Sequence, residues 1–195
     1  MDRDGLVRAI ASATASSEFP VLVAIDGRSG SGKSTLAAEL ALELGASVVS
    51  GDDFYRPMDD SERRGLHAAT GAAQYFDWQR LRAEALVPLR GDRPAVFHPY
   101  DWSGESHIGG LSDELLEIEA RDVILVDGVY SARAELADLV DLAVLVEVDR
   151  ATRLRRLAER PDDNAYWHSR WESAEAYYFS TLRPPETFDA LILGI

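Results

Sequence analysis

Apolar residues run nearly unbroken through 21–25, 47–49, 123–126, 142–148 and 190–193, and most of these positions are Val, Ile or Leu. Runs this short and this uniformly apolar predict strands buried on both faces of a sheet. Between them the period changes. In 34–44 apolar residues recur at Leu36, Leu40 and Leu44, and Gly45 follows as a stop signal, so a helix is expected there. Segments 80–89, 132–139 and 151–160 also carry helical spacing, and 6–13 suggests an N-terminal helix packed outside the sheet. Strands alternating with helices predict an α/β fold with a central parallel sheet of five strands. The segment 54–110 is richer in Gly, Pro, His and aromatic residues than its flanks, which marks it as the place for acceptor-binding loops and a substrate-side hairpin.

Composition narrows the class. The chain has 195 residues, 46% of them hydrophobic, which is enough for one domain spanning 1–195 and leaves little room for a second. With 34 acidic and 20 basic side chains the net charge is −14, so a protein that coats nucleic acid or anionic membranes is not expected. There is no cysteine, which excludes disulfides, thiolate metal sites and cysteine nucleophiles and suits a reducing compartment. The opening residues lack the pattern of a secretory signal, and no apolar run approaches the ~20 residues of a membrane span. The expectation is a soluble, cytoplasmic protein.

One motif carries chemistry directly. Gly27-Arg28-Ser29-Gly30-Ser31-Gly32-Lys33-Ser34 satisfies G-x-x-x-x-G-K-[ST], with Thr35 next, and it lies between a predicted strand and a predicted helix. Glycines let successive N–H groups turn toward a phosphate, and the helix N-terminus adds its positive end. Lys33 would reach the β- and γ-phosphates, and the Ser34 hydroxyl suits Mg²⁺, which prefers oxygen ligands. Lys33 is also the only lysine among the 20 Lys and Arg residues, which points to a role for a compact ammonium that a planar guanidinium does not fill.

A phosphate loop alone leaves GTPases, ATPases and small-molecule kinases open. Beyond the next strand come Asp52 and Asp53, followed by Phe54 and Tyr55, at the carboxyl end of a strand where open α/β sheets bind ligands. A carboxylate there can take the proton of an attacking hydroxyl and share the metal shell. Asp also favours turns and helix caps, the simpler reading for Asp53. No N-K-x-D stretch of the guanine-reading kind is present, which weakens a GTPase-like switch.

At this point the chain resembles the uridine kinase and phosphoribulokinase group of P-loop kinases. The resemblance is carried by 27–35, by Ser50 to Pro57 reading SGDDFYRP, by Phe76-Asp77-Trp78 and by Pro99-Tyr100-Asp101-Trp102, with Val126-Asp127-Gly128-Val129-Tyr130 and Thr152-Arg153-Leu154 extending it along most of the chain. It implies transfer of the ATP γ-phosphoryl group to a primary hydroxyl, in uridine kinases the 5′-OH of uridine or cytidine. It further implies Asp52 as general base, Asp127 as a second carboxylate holding Mg²⁺, and Tyr55, Tyr100 and Trp102 as lining of the acceptor pocket. Pyrimidine nucleoside kinases often carry a Phe-Asp-His-Pro stretch that supplies an acid to the ribose. The corresponding segment here reads Thr70-Gly71-Ala72-Ala73, and the histidine that follows the Tyr-Asp-aromatic motif is displaced to His107. Nicotinamide riboside, pantothenate and other alcohols therefore stand beside the nucleosides as acceptors, and a regulatory protein or pseudokinase is the remaining alternative.

Basic, aromatic and histidine residues also group along the chain. Arg153, Arg156 and Arg160 share a face of the helix expected at 151–160, where like charges four apart cost a few tenths of a kcal/mol unless an anion sits between them. ATP phosphates would be that anion, with a lid over 156–170 hinged near 160–164; pairing with Glu147, Asp149 and Glu159 is the simpler alternative. Phe54, Tyr55, Phe76, Trp78, Tyr100 and Trp102 gather on the acceptor side, as stacking surface or as core. His98 and His107 flank the expected hairpin, while Trp167, Trp171, Tyr177, Tyr178 and Phe179 read as core or as an oligomer interface. The four histidines lack metal-ligand spacing.

Overall fold

The computed structural model describes residues 1–104, 110–159 and 165–194. The chain begins with α1 (Arg3–Ser16), which buries Leu6 and Ile10 and is capped by Asp2 accepting the Gly5 N–H at 2.8 Å. It continues through β1 (Val21–Asp26), α2 (Lys33–Leu44), β2 (Ser47–Ser50), a 3₁₀ turn (Gly51–Phe54), α3 (Asp60–Gly65) and α4 (Ala68–Gln74). Next come α5 (Trp78–Arg80), a π-helical turn (Leu81–Leu86), α6 (Val87–Arg90) and the hairpin strands β3 (Ala95–Phe97) and β4 (Leu116–Ile118). The last third contains β5 (Val123–Asp127), β6 (Leu142–Glu147), α7 (Arg150–Ala158), α8 (Ala165–Tyr177), a second π-helical turn (Tyr178–Leu182) and β7 (Ala190–Leu193).

The main sheet has the order β2-β5-β1-β6-β7 and every pairing in it is parallel. Alternation of side chains explains why the strands are apolar throughout. On β1, Leu22 and Ala24 enter one core with Phe54, Leu86 and Leu89, while Val21, Val23 and Ile25 enter the other with Leu6, Leu36 and Leu40. On β5, Ile124 and Val126 join the first core and Val123 and Leu125 the second. Each wholly buried Leu or Ile contributes about 1.5–3 kcal/mol, so the two layers together hold the sheet's register. A third, aromatic cluster of Tyr55, Tyr75, Tyr130, Tyr178 and Phe179 joins α4 and α8 to the loops above the sheet.

Two expected helices differ. The segment 80–89 is helical, but its middle widens into a π turn before Pro88, which has no N–H to give the carbonyl four residues back. The segment 132–139 forms only a 3₁₀ turn at Ala134–Leu136. The Asp26 carboxylate takes the N–H groups of Tyr130 and Ala132, and that side-chain partner holds the chain in a turn at the start of the expected helix. Among the described residues no helix is long and apolar enough to cross a membrane.

Candidate functional site

Gly27 leaves β1 with φ 148°, and a Cβ on it would lie 2.3 Å from the Val146 carbonyl oxygen, so only glycine fits between β1 and β6. Gly32 then caps α2 in the left-handed region at φ 102° without any side-chain cap. The first amides of α2 therefore face the loop, where an anion can accept from them. Lys33 is 8% exposed and its Nζ donates to the Arg28 carbonyl at 3.2 Å, inside the ring of the loop.

The loop is held from three sides. Below it, the wholly buried Asp26 accepts from Gly27 N (2.7 Å), Tyr130 N (3.0 Å), Ala132 N (3.1 Å) and Tyr178 Oη (2.9 Å). Burial pushes the Asp26 carboxyl up to about 6 against the pull of its donors and of Lys33. The same contact fixes Tyr130 at φ 71°, a conformation that a bulky residue adopts only when its surroundings impose it. From α8, the 3% exposed Glu175 accepts from the Ser29 hydroxyl and from Ser29 N at 3.2 Å. From α7, Arg153 Nη1 donates to Ser29 O (3.2 Å) and Arg156 Nη1 to Gly30 O (3.4 Å) and Ser31 O (3.3 Å). Arg28 lies over the Phe179 ring at 5.2 Å. Asp26 and Glu175 had no motif to reveal them; the available signal was an acid ending an otherwise apolar strand, and an acid within an aromatic helical stretch.

The carboxyl ends of three strands converge beside Lys33. Ser50 pairs with Asp127 across β2 and β5, and Ile25 with Asp127 across β1 and β5. Asp127 is 8% exposed, hydrogen-bonds to Ser34, and feels the charges of Lys33 and Asp52. Burial raises its pKa, the Asp52 charge adds to the rise, and Lys33 and Ser34 oppose it. Its Oδ1 is buried without a hydrogen-bond partner. An orphaned carboxylate oxygen beside a serine hydroxyl is the donor set that fits Mg²⁺, an ion that binds few protein oxygens and completes its shell with phosphate and water. Among the described residues no three His, Cys, Asp or Glu side chains form a metal cage. Asp52 itself is exposed, while burial and the Asp52 charge push the half-buried Asp53 carboxyl up to about 6. Neither acid caps the 3₁₀ turn, which has no side-chain cap bond.

The acceptor-side aromatics meet, but not as an open pocket. Tyr55 is 3% exposed, with Phe76 (5.2 Å), Tyr100 (5.1 Å), Trp102 (5.2 Å) and Trp171 (6.1 Å) around its ring and Arg63 over it at 4.4 Å. The expected pocket wall at Tyr55 is therefore a packed aromatic core, and Trp102, 59% exposed, is the member that faces solvent. Phe54 is wholly buried and Phe76 and Trp78 partly so. His98 Nδ1 lies 2.9 Å from Ser112 O, in the connection between β3 and β4. The arginines of α7 also differ from expectation: Arg153 and Arg156 grip loop carbonyls, Arg150 pairs with Glu172, and Asp149 caps the helix through Thr152 N at 2.9 Å. Tyr178 and Phe179 are buried core. His107, Arg160, the hinge at 160–164 and the side chain of Trp167 lie outside the described residues.

A family model described as an AAA domain matches residues 22–98. The chain is 28% identical over 151 residues to a uridine kinase of Latilactobacillus sakei, covering 75% of this chain and 69% of that protein. It is 29% identical over 168 residues to a uridine kinase of Halobacterium salinarum, covering 83% and 71%. A solved structure from Bacillus stearothermophilus, described as a possible uridine kinase, superposes with a TM-score of 0.70 at 21% identity over 97% of this chain and 96% of that one. The chain thus has the P-loop kinase fold and resembles the uridine kinase-like members of that group along most of its length.

Proposed function

We propose that the protein transfers the γ-phosphoryl group of Mg·ATP to a primary hydroxyl of a small molecule. The observation that carries this reading is the meeting of Lys33, Ser34, Asp52 and Asp127 at the carboxyl ends of β1, β2 and β5, beside the N-terminus of α2, which no side chain caps. In phosphoryl transfer the protein supplies mainly position and charge, which is what this cluster offers. Lys33 would leave the Arg28 carbonyl for the β- and γ-phosphates. Ser34 and Asp127, with Asp52, would hold the Mg²⁺, which neutralises phosphate charge when bound. Asp52 would accept the proton of the acceptor hydroxyl, its exposure leaving it open to the incoming alcohol. Arg153 and Arg156 would keep the loop in shape through its carbonyls, with Arg160 as a further candidate for the phosphates. Gly27, Arg28, Ser29, Gly30, Ser31, Gly32 and Thr35 complete the nucleotide side.

The relatives named uridine kinases favour a nucleoside 5′-OH as the acceptor, taken up beside Phe76, Tyr100, Trp102 and His107. One observation favours a different alcohol. The segment that would supply an acid to ribose is α4, whose Gly71 and Ala72 are buried, and a Cβ on Gly71 would lie 2.7 Å from the Tyr75 ring. Incubation with Mg·ATP and a pooled panel of nucleosides, ribosides, pantothenate and sugar alcohols, read by mass spectrometry, tests the reading. One acceptor should gain one phosphate, and Asp52→Ala should lose that transfer while still binding ATP. Unchanged turnover in Asp52→Ala removes Asp52 from the mechanism.

A further inference from the structure

On the α8 side of the phosphate loop lies a cavity of about 370 Å³, bounded by Arg28, the end of β6, the start of α7, and α8 with the π turn that follows it. None of Lys33, Ser34, Asp52 and Asp127 lines it. Part of the lining is apolar, for Leu145 is 1% and Phe179 5% exposed. Glu147 follows Leu145 by two residues on β6, so both side chains stand on the same face of the sheet and border the same cavity.

Of the charged side chains in the lining, Arg150, Arg153 and Glu172 are already committed. Glu172 accepts from Arg150 Nε at 2.9 Å and Nη2 at 3.2 Å, one bond to each carboxylate oxygen, while Arg153 gives Nη1 to Ser29 O at 3.2 Å and holds Nη2 3.9 Å from Glu172. Arg28 and Glu147 are not committed. Among the described residues neither side chain has an ion pair or a hydrogen bond, and the two do not reach each other. Arg28 lies over the Phe179 ring at 5.2 Å, a contact that gives its N–H groups no oxygen, and it acts on Glu172 only as a more distant charge. Both residues are half-buried, where an opposite charge is worth more than in open solvent. A simple anion would answer Arg28 and be repelled by Glu147, and a simple cation would do the reverse.

We propose that this cavity binds a small zwitterion of the amino-acid class, its carboxylate accepting from Arg28, its ammonium donating to Glu147 and its hydrocarbon part lying against Leu145 and Phe179. Each charge of the ligand then meets a group that the fold leaves without a partner, through the stronger, charge-assisted kind of hydrogen bond. The volume falls within the roughly 300–1,000 Å³ of small-molecule sites. Binding here is independent of phosphoryl transfer.

The test titrates the full chain, without nucleotide, with the standard L-amino acids singly and reads the heat of binding. At least one should bind saturably. Its analogues lacking the amino group or lacking the carboxylate should each bind the parent chain roughly 10-fold or more weakly, the loss of one hydrogen bond between charged groups. Arg28→Gln and Glu147→Gln should each weaken the amino acid by a similar factor. The two variants should also respond in a crossed manner: Arg28→Gln should bind the analogue without a carboxylate about as well as the amino acid, and Glu147→Gln the analogue without an amino group. A general loss of structure weakens all three ligands alike and does not produce that crossing. The proposal is overturned if no amino acid binds, if binding is unmoved in both variants, or if the analogue without an amino group binds the parent as tightly as the amino acid.

Discussion

Asp26 allows burial and hydrogen bonding to be weighed against each other in one residue. Its wholly buried carboxylate accepts from four donors, yet burial wins and sets its pKa at about 6 against an ordinary 3.8. Between those values the folded protein binds a proton that the unfolded chain has released, so stability falls as pH rises through that window. The gap is worth about 3 kcal/mol in full, of which about 2 kcal/mol is recovered on going from pH 7.5 to pH 4.5. Asp26→Asn does not titrate. Its Oδ1 can keep Gly27 N and Tyr130 N, which bond Asp26 Oδ1, and its amide can donate to the Tyr178 hydroxyl. Only Ala132 N–H, a donor to Asp26 Oδ2, is left facing another donor, at about 1–3 kcal/mol. At pH 7.5 that loss and the relief of the buried charge nearly cancel, so the variant should lie within about 2 kcal/mol of the parent. Urea unfolding of both proteins at pH 7.5 and 4.5 checks this, because titrations elsewhere cancel in the difference. The parent should gain about 2 kcal/mol on the variant at the lower pH. A parent that loses ground on acidification would mean that the four donors outweigh burial and would refute the reasoning.

Three other substitutions probe the site. Gly27→Ala forces a Cβ to within 2.3 Å of the Val146 carbonyl oxygen, so thermal unfolding should drop by roughly 6 °C or more; a melting point within about 2 °C of the parent would show that β6 gives way easily. Asp127→Asn keeps the shape but removes the buried charge beside Ser34, and the Mg²⁺ needed for half-maximal turnover at fixed ATP should rise roughly 10-fold or more; an unmoved Mg²⁺ titration takes Asp127 out of the metal site. Glu175→Ala leaves Ser29 N–H and its hydroxyl without their buried partner, costing about 1–3 kcal/mol in urea unfolding and weakening ATP binding several-fold; unchanged ATP affinity would make the α8 contact purely structural.

The parts of this molecule that the sequence reveals are those whose cause is local or periodic. Strands buried on both faces must be apolar at every position, so β1, β5 and β6 can be read within a residue or two of their ends. The phosphate loop is legible because each glycine answers a backbone demand, as the 2.3 Å approach at Gly27 shows. The aromatic segments are legible as a group only. Periodicity does not distinguish Tyr55, enclosed by five rings and a guanidinium, from Trp102, which faces solvent. The helix expected at 132–139 is reduced to a 3₁₀ turn, and a carboxylate more than 100 residues away, Asp26, holds the N–H groups of Tyr130 and Ala132 at its start, a partner that no window of sequence contains.

That failure and the candidate site have the same origin. A buried carboxylate that organises turns must sit where several N–H groups converge, and such convergence arises at the carboxyl ends of parallel strands, where chains leave the sheet together. Asp26 ties the start of the phosphate loop, through Gly27, to the turn after β5, through Tyr130 and Ala132. Glu175 and the α7 arginines tie the far side of the same loop to α7 and α8. The loop, the turn after β5 and the helices α7 and α8 are thereby joined by charged groups paired with backbone, three of them buried, and moving any one of these segments breaks bonds in another. The bonds that Asp26 accepts keep the loop and the turn after β5 in one arrangement, and they offset part of the cost of burying an acid beneath it.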